Sequence, residues 1–152
     1  MNKIPEKDLF YISIQLILFI VYFIPVISFK IHIHTYLQQL FLVCSVTGFL
    51  IVIISIIQLN KSLTPFPTPK ENAVLNTKGL YKYVRHPIYA GIIVFTVFFG
   101  LYNLSLFKIL IGILLFVLFY FKSNYEEKLL LDKFENYTDY IKNTKKFIPF
   151  II

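Results

Sequence analysis

The chain has 152 residues, 57% of them hydrophobic and 18% aromatic, with a formal net charge of +7. That much apolar surface exceeds what a soluble domain of this length buries, and it defines an integral membrane protein. The positive charges flank apolar runs and carry no nucleic-acid-binding motif, which argues against nucleic acid and for anionic lipid as their partner. The single cysteine, Cys44, rules out an intramolecular disulfide and a paired-cysteine metal site.

The first apolar run covers residues 9–27 and follows Lys3 and Lys7. It has no small-residue cleavage pattern, so it reads as an uncleaved first span and not as a secretory signal. Roughly 19 residues at about 1.5 Å each nearly cross a hydrocarbon core, and Pro25 falls near the end of the run. His32 and His34 follow in a short connection, where two histidines without further ligands do not make a metal site. The second span covers residues 37–59, with Gly48 as a point of close helix contact.

Residues 60–87 change character. Prolines at 65, 67 and 69 deny helix and favour an extended course. A connection of this length marks a functional loop. Residues 88–121 are too long for one span and right for two short ones. The "YNLS" at 102–105 is the turn of a helical hairpin with arms of about 15–17 residues, and Gly91, Gly100 and Gly112 would let the arms pack tightly. In the tail, residues 122–152, Leu130, Phe134, Tyr137 and Ile141 recur at three- and four-residue steps. That spacing predicts an amphipathic helix near the interface, continuing or following the fourth span and stopped by Pro149.

The expected fold is thus an all-α integral membrane protein of about four transmembrane helices in a single membrane domain, with an amphipathic C-terminal helix. All of the 15 lysines and arginines except Lys30 and Lys108 fall on one side of this topology. The excess of positive charge places the N-terminus, the long loop, the tail and the site they form on the cytoplasmic face.

The open ends of a hairpin are neighbours, so residues 85–89 and 122–127 should meet. His86 and Tyr89 share a helix face, as do Lys122 and Glu126. Pro87 fits a first helical turn, whose free N–H groups can hold an anion. Tyr81 adds an aromatic surface. Basic groups, a helix start, carboxylates and aromatics suit a zwitterionic, nucleotide-like cofactor. S-adenosylmethionine fits, with its carboxylate, ammonium, ribose diol, adenine and a sulfonium drawn to aromatic faces. The plainer readings are a snorkelling Arg85, an interfacial His86, and a solvated Lys122–Glu126 pair contributing about 0.3–0.5 kcal/mol. No Gly-x-Gly-x-x-Gly occurs among the five glycines, which argues against a Rossmann dinucleotide domain.

Read together, "G-x-Y-x-x-x-R-H-P-x-Y-x-G" from Gly79, "EE-x-x-L-x-x-x-F-x-x-Y-x-x-Y" from Glu126 and "F-I-P" from Phe147 resemble the isoprenylcysteine carboxyl methyltransferase family and the related phospholipid methyltransferases. The resemblance covers residues 63–152. It implies S-adenosylmethionine bound by Ala73, Val74, Leu75, Asn76, Tyr81, His86, Pro87, Ile88, Tyr89 and Glu126, and a lipid-like acceptor (a prenylcysteine-type carboxylate or a phospholipid amine) held at Lys122. The catalytic candidates are Arg85, His86 and Glu127, with no metal. Lys122 stands where the eukaryotic enzymes often have arginine, keeping the charge and losing the bidentate fork. Ala73 stands where a histidine is common. Two rival readings are an NADPH-dependent reductase of the sterol-reductase type, with Lys70, Lys78 and Lys82 on the phosphates, and a non-catalytic membrane protein.

Overall fold

The computed structural model describes residues 4–25 and 33–149. Lys3, Lys30, His32, the last two residues of the first apolar run and the terminal 150–152 lie outside the described residues. Five α-helices follow in order: α1 Glu6–Tyr22, α2 Thr35–Leu59, α3 Pro87–Tyr102, α4 Leu106–Lys133 and α5 Tyr137–Asn143. Short 3-10 turns occupy Asn60–Ser62 and Gly79–Lys82. No strand forms among the described residues.

Each boundary has a local cause. α1 ends at Tyr22, so Pro25 falls beyond the helix and not within its last turn. α2 runs for 25 residues without a proline or a charge. α3 starts at Pro87, whose missing N–H costs nothing in a first turn. The hairpin turn falls at 103–105, where Leu104 takes a positive φ and the Ser105 hydroxyl caps α4 by accepting from Lys108 N at 3.3 Å. α4 then continues for 28 residues, from the apolar run into the charged one. At about 1.5 Å per residue it reaches about 42 Å, beyond a hydrocarbon core of about 30 Å.

α1 and α4 lie antiparallel. Tyr11 stacks on Tyr125 at 5.8 Å near one end, and at the other Tyr22 joins Ile111, Leu115 and Phe119 in the core. The Tyr22 hydroxyl donates to Thr96 O at 2.7 Å. α2 and α3 cross so closely that a Cβ on Gly48 would stand 2.5 Å from Phe95 N, and one on Gly91 would stand 2.7 Å from Gly48 O. Gly91 therefore serves the α2–α3 contact and not the hairpin, because its open face meets α2. Gly100 and Gly112 do pack the hairpin, against Ile109 and Val97. Phe10, Ile20, Ile57, Leu106 and Phe121 remain exposed on the outside. Thr35–Ser62 and Leu106–Lys133 are long and apolar enough to cross a membrane.

The tail differs from the single amphipathic helix that its periodicity predicts. Helix breaks at 134–136, resumes as α5 and ends at Asn143, well short of Pro149. Beyond it the chain lies beside residues 83–85 in a parallel bridge between Val84 and Lys145. Arg85 N donates to Lys145 O at 2.8 Å, His86 N to Lys146 O at 3.1 Å, and Lys145 N to Tyr83 O at 3.1 Å. These backbone bonds replace those the helix would have made, a competition that periodicity does not register.

Candidate active site

At the end of the bundle where α1 begins and α4 runs into the tail, the proline-rich loop, α1, α2, α3, α4 and α5 enclose a cavity of about 290 Å³. That is at the lower edge of small-molecule pockets, about 300–1,000 Å³. Of the residues singled out from the sequence, Ala73, Val74, Leu75, Asn76, Tyr81, Arg85, His86, Ile88, Tyr89, Lys122 and Glu126 line it. Pro87 and Glu127 do not. Pro87 is buried as the first residue of α3.

The hairpin brings its two motifs into direct contact. Glu127 Oε1 accepts from Arg85 Nε at 2.8 Å and lies 3.1 Å from His86 Nε2, while its Oε2 lies 3.2 Å from Lys146 Nζ. Lys146 also donates to Asn124 Oδ1. Arg85 reaches on with Nη1 to Thr144 O at 2.5 Å and Ile141 O at 3.4 Å, a cation on the last carbonyls of α5. Glu127 is therefore surrounded by three basic side chains and spends both oxygens on them. It pins the tail across the start of α3, and in doing so it brings α5 over the cavity.

Glu126 behaves differently. Its Oε2 accepts from the Tyr89 hydroxyl at 2.8 Å, and His86 Nδ1 stands 3.8 Å away, beyond hydrogen-bond range. Oε1 has no partner among the described residues, and Glu126 lines the cavity. His86, Tyr89 and Phe119 form a stack, with ring separations of 5.4 and 4.6 Å and planes within 7°. That stack fixes the imidazole's orientation.

The long loop is tied down along its length. Ser62 and Val74 exchange hydrogen bonds through the Ser62 hydroxyl, Asn76 Nδ2 donates to Gln58 O at 2.8 Å, and Leu80 N donates to Gln58 Oε1 at 2.9 Å. Gly79 makes the turn between them at φ +62°, a conformation glycine adopts without penalty. Asp8, fully buried on α1, accepts from Thr68 N at 3.1 Å. Lys133 donates to the carbonyls of Lys70 and Glu71.

Several participants are not among the site residues expected from the sequence. Gln15 comes from α1 and Pro65 from the loop, and the lining also takes in Leu130, Phe134, Tyr137 and Tyr140, which the motif from Glu126 contains without marking them as site residues. The three last named stand at helical spacing that reads equally well as core. The Tyr140 hydroxyl donates to Tyr81 O at 2.6 Å. The Tyr137 hydroxyl is buried without a partner among the described residues. Burial pushes the Tyr81 and Tyr137 hydroxyls well above the ordinary tyrosine range, with the Glu126 charge adding to the rise at both. Burial likewise pushes Tyr140 up to about 12, against the lowering effect of Arg85. All three hydroxyls stay protonated at physiological pH and can donate hydrogen bonds but not act as bases.

Lys122 is not the solvated partner of Glu126. Its side chain is 1% exposed and donates to Gln15 Oε1 at 2.7 Å and Pro65 O at 3.1 Å, with the Tyr89 ring 5.4 Å away. Lys70, Lys78 and Lys82 do not line the cavity.

A bundle of apolar helices with a cavity of polar and aromatic side chains at the open end of its hairpin is the architecture of a helical membrane protein with a candidate small-molecule site. The profile of the phospholipid methyltransferase family matches residues 38–137, from within α2 to the first residue of α5. The chain belongs to that family, whose members are membrane methyltransferases. No curated protein matches the chain individually.

Proposed function

We propose that the chain transfers a methyl group from S-adenosylmethionine to a lipid-like acceptor drawn from the bilayer. The observation that carries this reading is geometric. Nine of the ten residues expected at the cofactor, all but Pro87, line one cavity together with Lys122. The cavity's chemistry fits the group. The free Oε1 of Glu126 would take an ammonium or a ribose hydroxyl, the Tyr137 hydroxyl, without a partner among the described residues, is a donor, and the rings of Tyr81 and Phe134 suit a sulfonium and an adenine. Bound there, the cofactor supplies an electrophilic methyl on sulfur.

The chain's own residues then position and desolvate. An amine acceptor would need a base, yet Glu127 is off the cavity, His86 Nε2 is engaged with it, and the free Oε1 of Glu126 is the oxygen that would take the cofactor's ammonium or ribose hydroxyl. A carboxylate acceptor needs none. With the cofactor bound, a carboxylate oxygen could take the methyl with no proton to move, so the chain's residues would have only to hold the carboxylate and exclude water. Arg85, His86 and Glu127 thus act as positioning residues, and the acceptor is a carboxylate on an apolar chain, held by Lys122. The chain forms one membrane domain of four spans with the site on the cytoplasmic face.

Purified protein in detergent, titrated with S-adenosylmethionine, S-adenosylhomocysteine and NADPH, tests the cofactor. The first two should raise Tm and NADPH should not; the reverse pattern overturns the proposal and favours the reductase. Single cysteines at Lys70 and Asn103 in a Cys44→Ser background should label from opposite sides of sealed vesicles. Labelling of both from one side rejects the topology.

A further inference from the structure

Lys122 presents an electrostatic imbalance. Its ammonium is buried in the cavity wall, and its partners are an amide oxygen, a backbone carbonyl and an aromatic face, all neutral. No carboxylate of the described residues forms an ion pair with it. Glu126, one turn further along α4, accepts from the Tyr89 hydroxyl with Oε2, and Asp8 accepts from Thr68 N with Oδ2 while its buried Oδ1 has no partner among the described residues, so both charges act on Lys122 only from beyond contact. For Lys122 desolvation outweighs the attraction of these two distant carboxylates, and an anion entering the cavity to contact the ammonium would relieve it.

The residue that leaves Lys122 in this state is Gln15. It sits on α1, outside the family-matched segment 38–137. The lysine ammonium has only donors, so the amide must present Oε1 to it. The NH₂ donors of Gln15 are then left for a ligand, and Gln15 lines the cavity. A glutamate at the same position would put a counter-charge 2.7 Å from Nζ and close the site internally.

We propose that Gln15 is the specificity-determining residue of the acceptor site. By holding Lys122 with a neutral amide it keeps the ammonium free of a contact ion pair, and with its own NH₂ it adds a second donor, so that this cavity selects an anionic headgroup over its neutral counterpart. The inference rests on the reading of the cavity as an acceptor site. It also predicts release: methylation turns the carboxylate into an ester, which no longer pairs with the ammonium.

The test compares binding of palmitate and of methyl palmitate to the full chain in phosphatidylcholine nanodiscs. Wild type should bind the acid at least tenfold tighter than the ester. Gln15→Glu should bring the ratio near one while the affinity for S-adenosylhomocysteine, read by calorimetry, stays unchanged. Lys122→Gln should also abolish the preference, and the double swap Gln15→Lys/Lys122→Gln should restore it, which keeps the test decisive if Gln15→Glu folds poorly. A wild type that does not distinguish acid from ester, or a Gln15→Glu variant that keeps the preference, overturns the inference. Failure of S-adenosylhomocysteine to bind wild type would instead sink the methyltransferase reading, and the acid–ester comparison would still be read independently.

Discussion

The two sides of the cavity solve the problem of buried charge in opposite ways. On the side built by the start of α3, the end of α4 and the tail, charge is closed within the protein, with Arg85, His86 and Lys146 all meeting Glu127. On the side built by α1 and the proline-rich loop, one cation, Lys122, has neutral groups alone in contact with it, its nearest carboxylates acting from beyond ion-pair range. The first arrangement is scaffolding, because a satisfied network has nothing left to offer a ligand. The second is an unfinished interaction, and unfinished interactions are where ligands bind. Neighbouring residues on one helix fall on either side of this division. Glu127 is saturated, and Glu126 keeps one oxygen free.

Removing a member of the closed network should produce the largest effect. Glu127→Ala leaves three basic groups without their shared counter-charge, and breaking such a buried pair costs about 3–5 kcal/mol. The expected result is a large drop in Tm in detergent with loss of cofactor binding, and an unchanged Tm would show that the network is not structural. Glu126→Gln should act on the ligand instead. Losing a charge-assisted acceptor should weaken S-adenosylmethionine binding by about 1.5–3 kcal/mol in calorimetry, with little change in the Tm of the free protein. Equal affinities would remove Glu126 from the cofactor site.

Gly91→Ala tests the frame that holds both sides. Its Cβ would stand 2.7 Å from Gly48 O and 2.8 Å from a Val52 methyl, so the overpacking should cost about 1–3 kcal/mol, read from thermal unfolding. Lys122→Met sharpens the comparison most directly. Replacing a buried cation that lacks a contact ion pair with an apolar chain of similar length should leave the Tm of the free protein unchanged or raised, while methyl transfer is lost. A marked fall in Tm would mean that Lys122 is scaffold as well. The exposed Lys142–Asp139 pair supplies the control, and Lys142→Gln should change neither stability nor turnover. Lys133 would be a poor control, since it holds the loop carbonyls of Lys70 and Glu71.

Hydropathy and periodicity, which are local properties of the chain, were enough to read the helical architecture, the turn at 102–105 and the proline-rich loop. The juxtaposition of residues 85–89 with 122–127 was also legible, because a hairpin leaves its open ends no other place to be. The motif around Arg85–His86–Pro87 and the paired glutamates pointed to the family for the same reason. The sequence could not assign Gly91 to α2 rather than α4, since a small residue does not announce its partner. It could not show the tail leaving its helical period, because the competing backbone bonds come from residues 83–86, some sixty positions away in the chain. Nor could it show that Glu127 is spent on three basic groups while Glu126 keeps an oxygen free, or single out Gln15 on α1. Those distinctions depend on which groups share a buried volume, and burial is set by helices packing against each other across the whole chain.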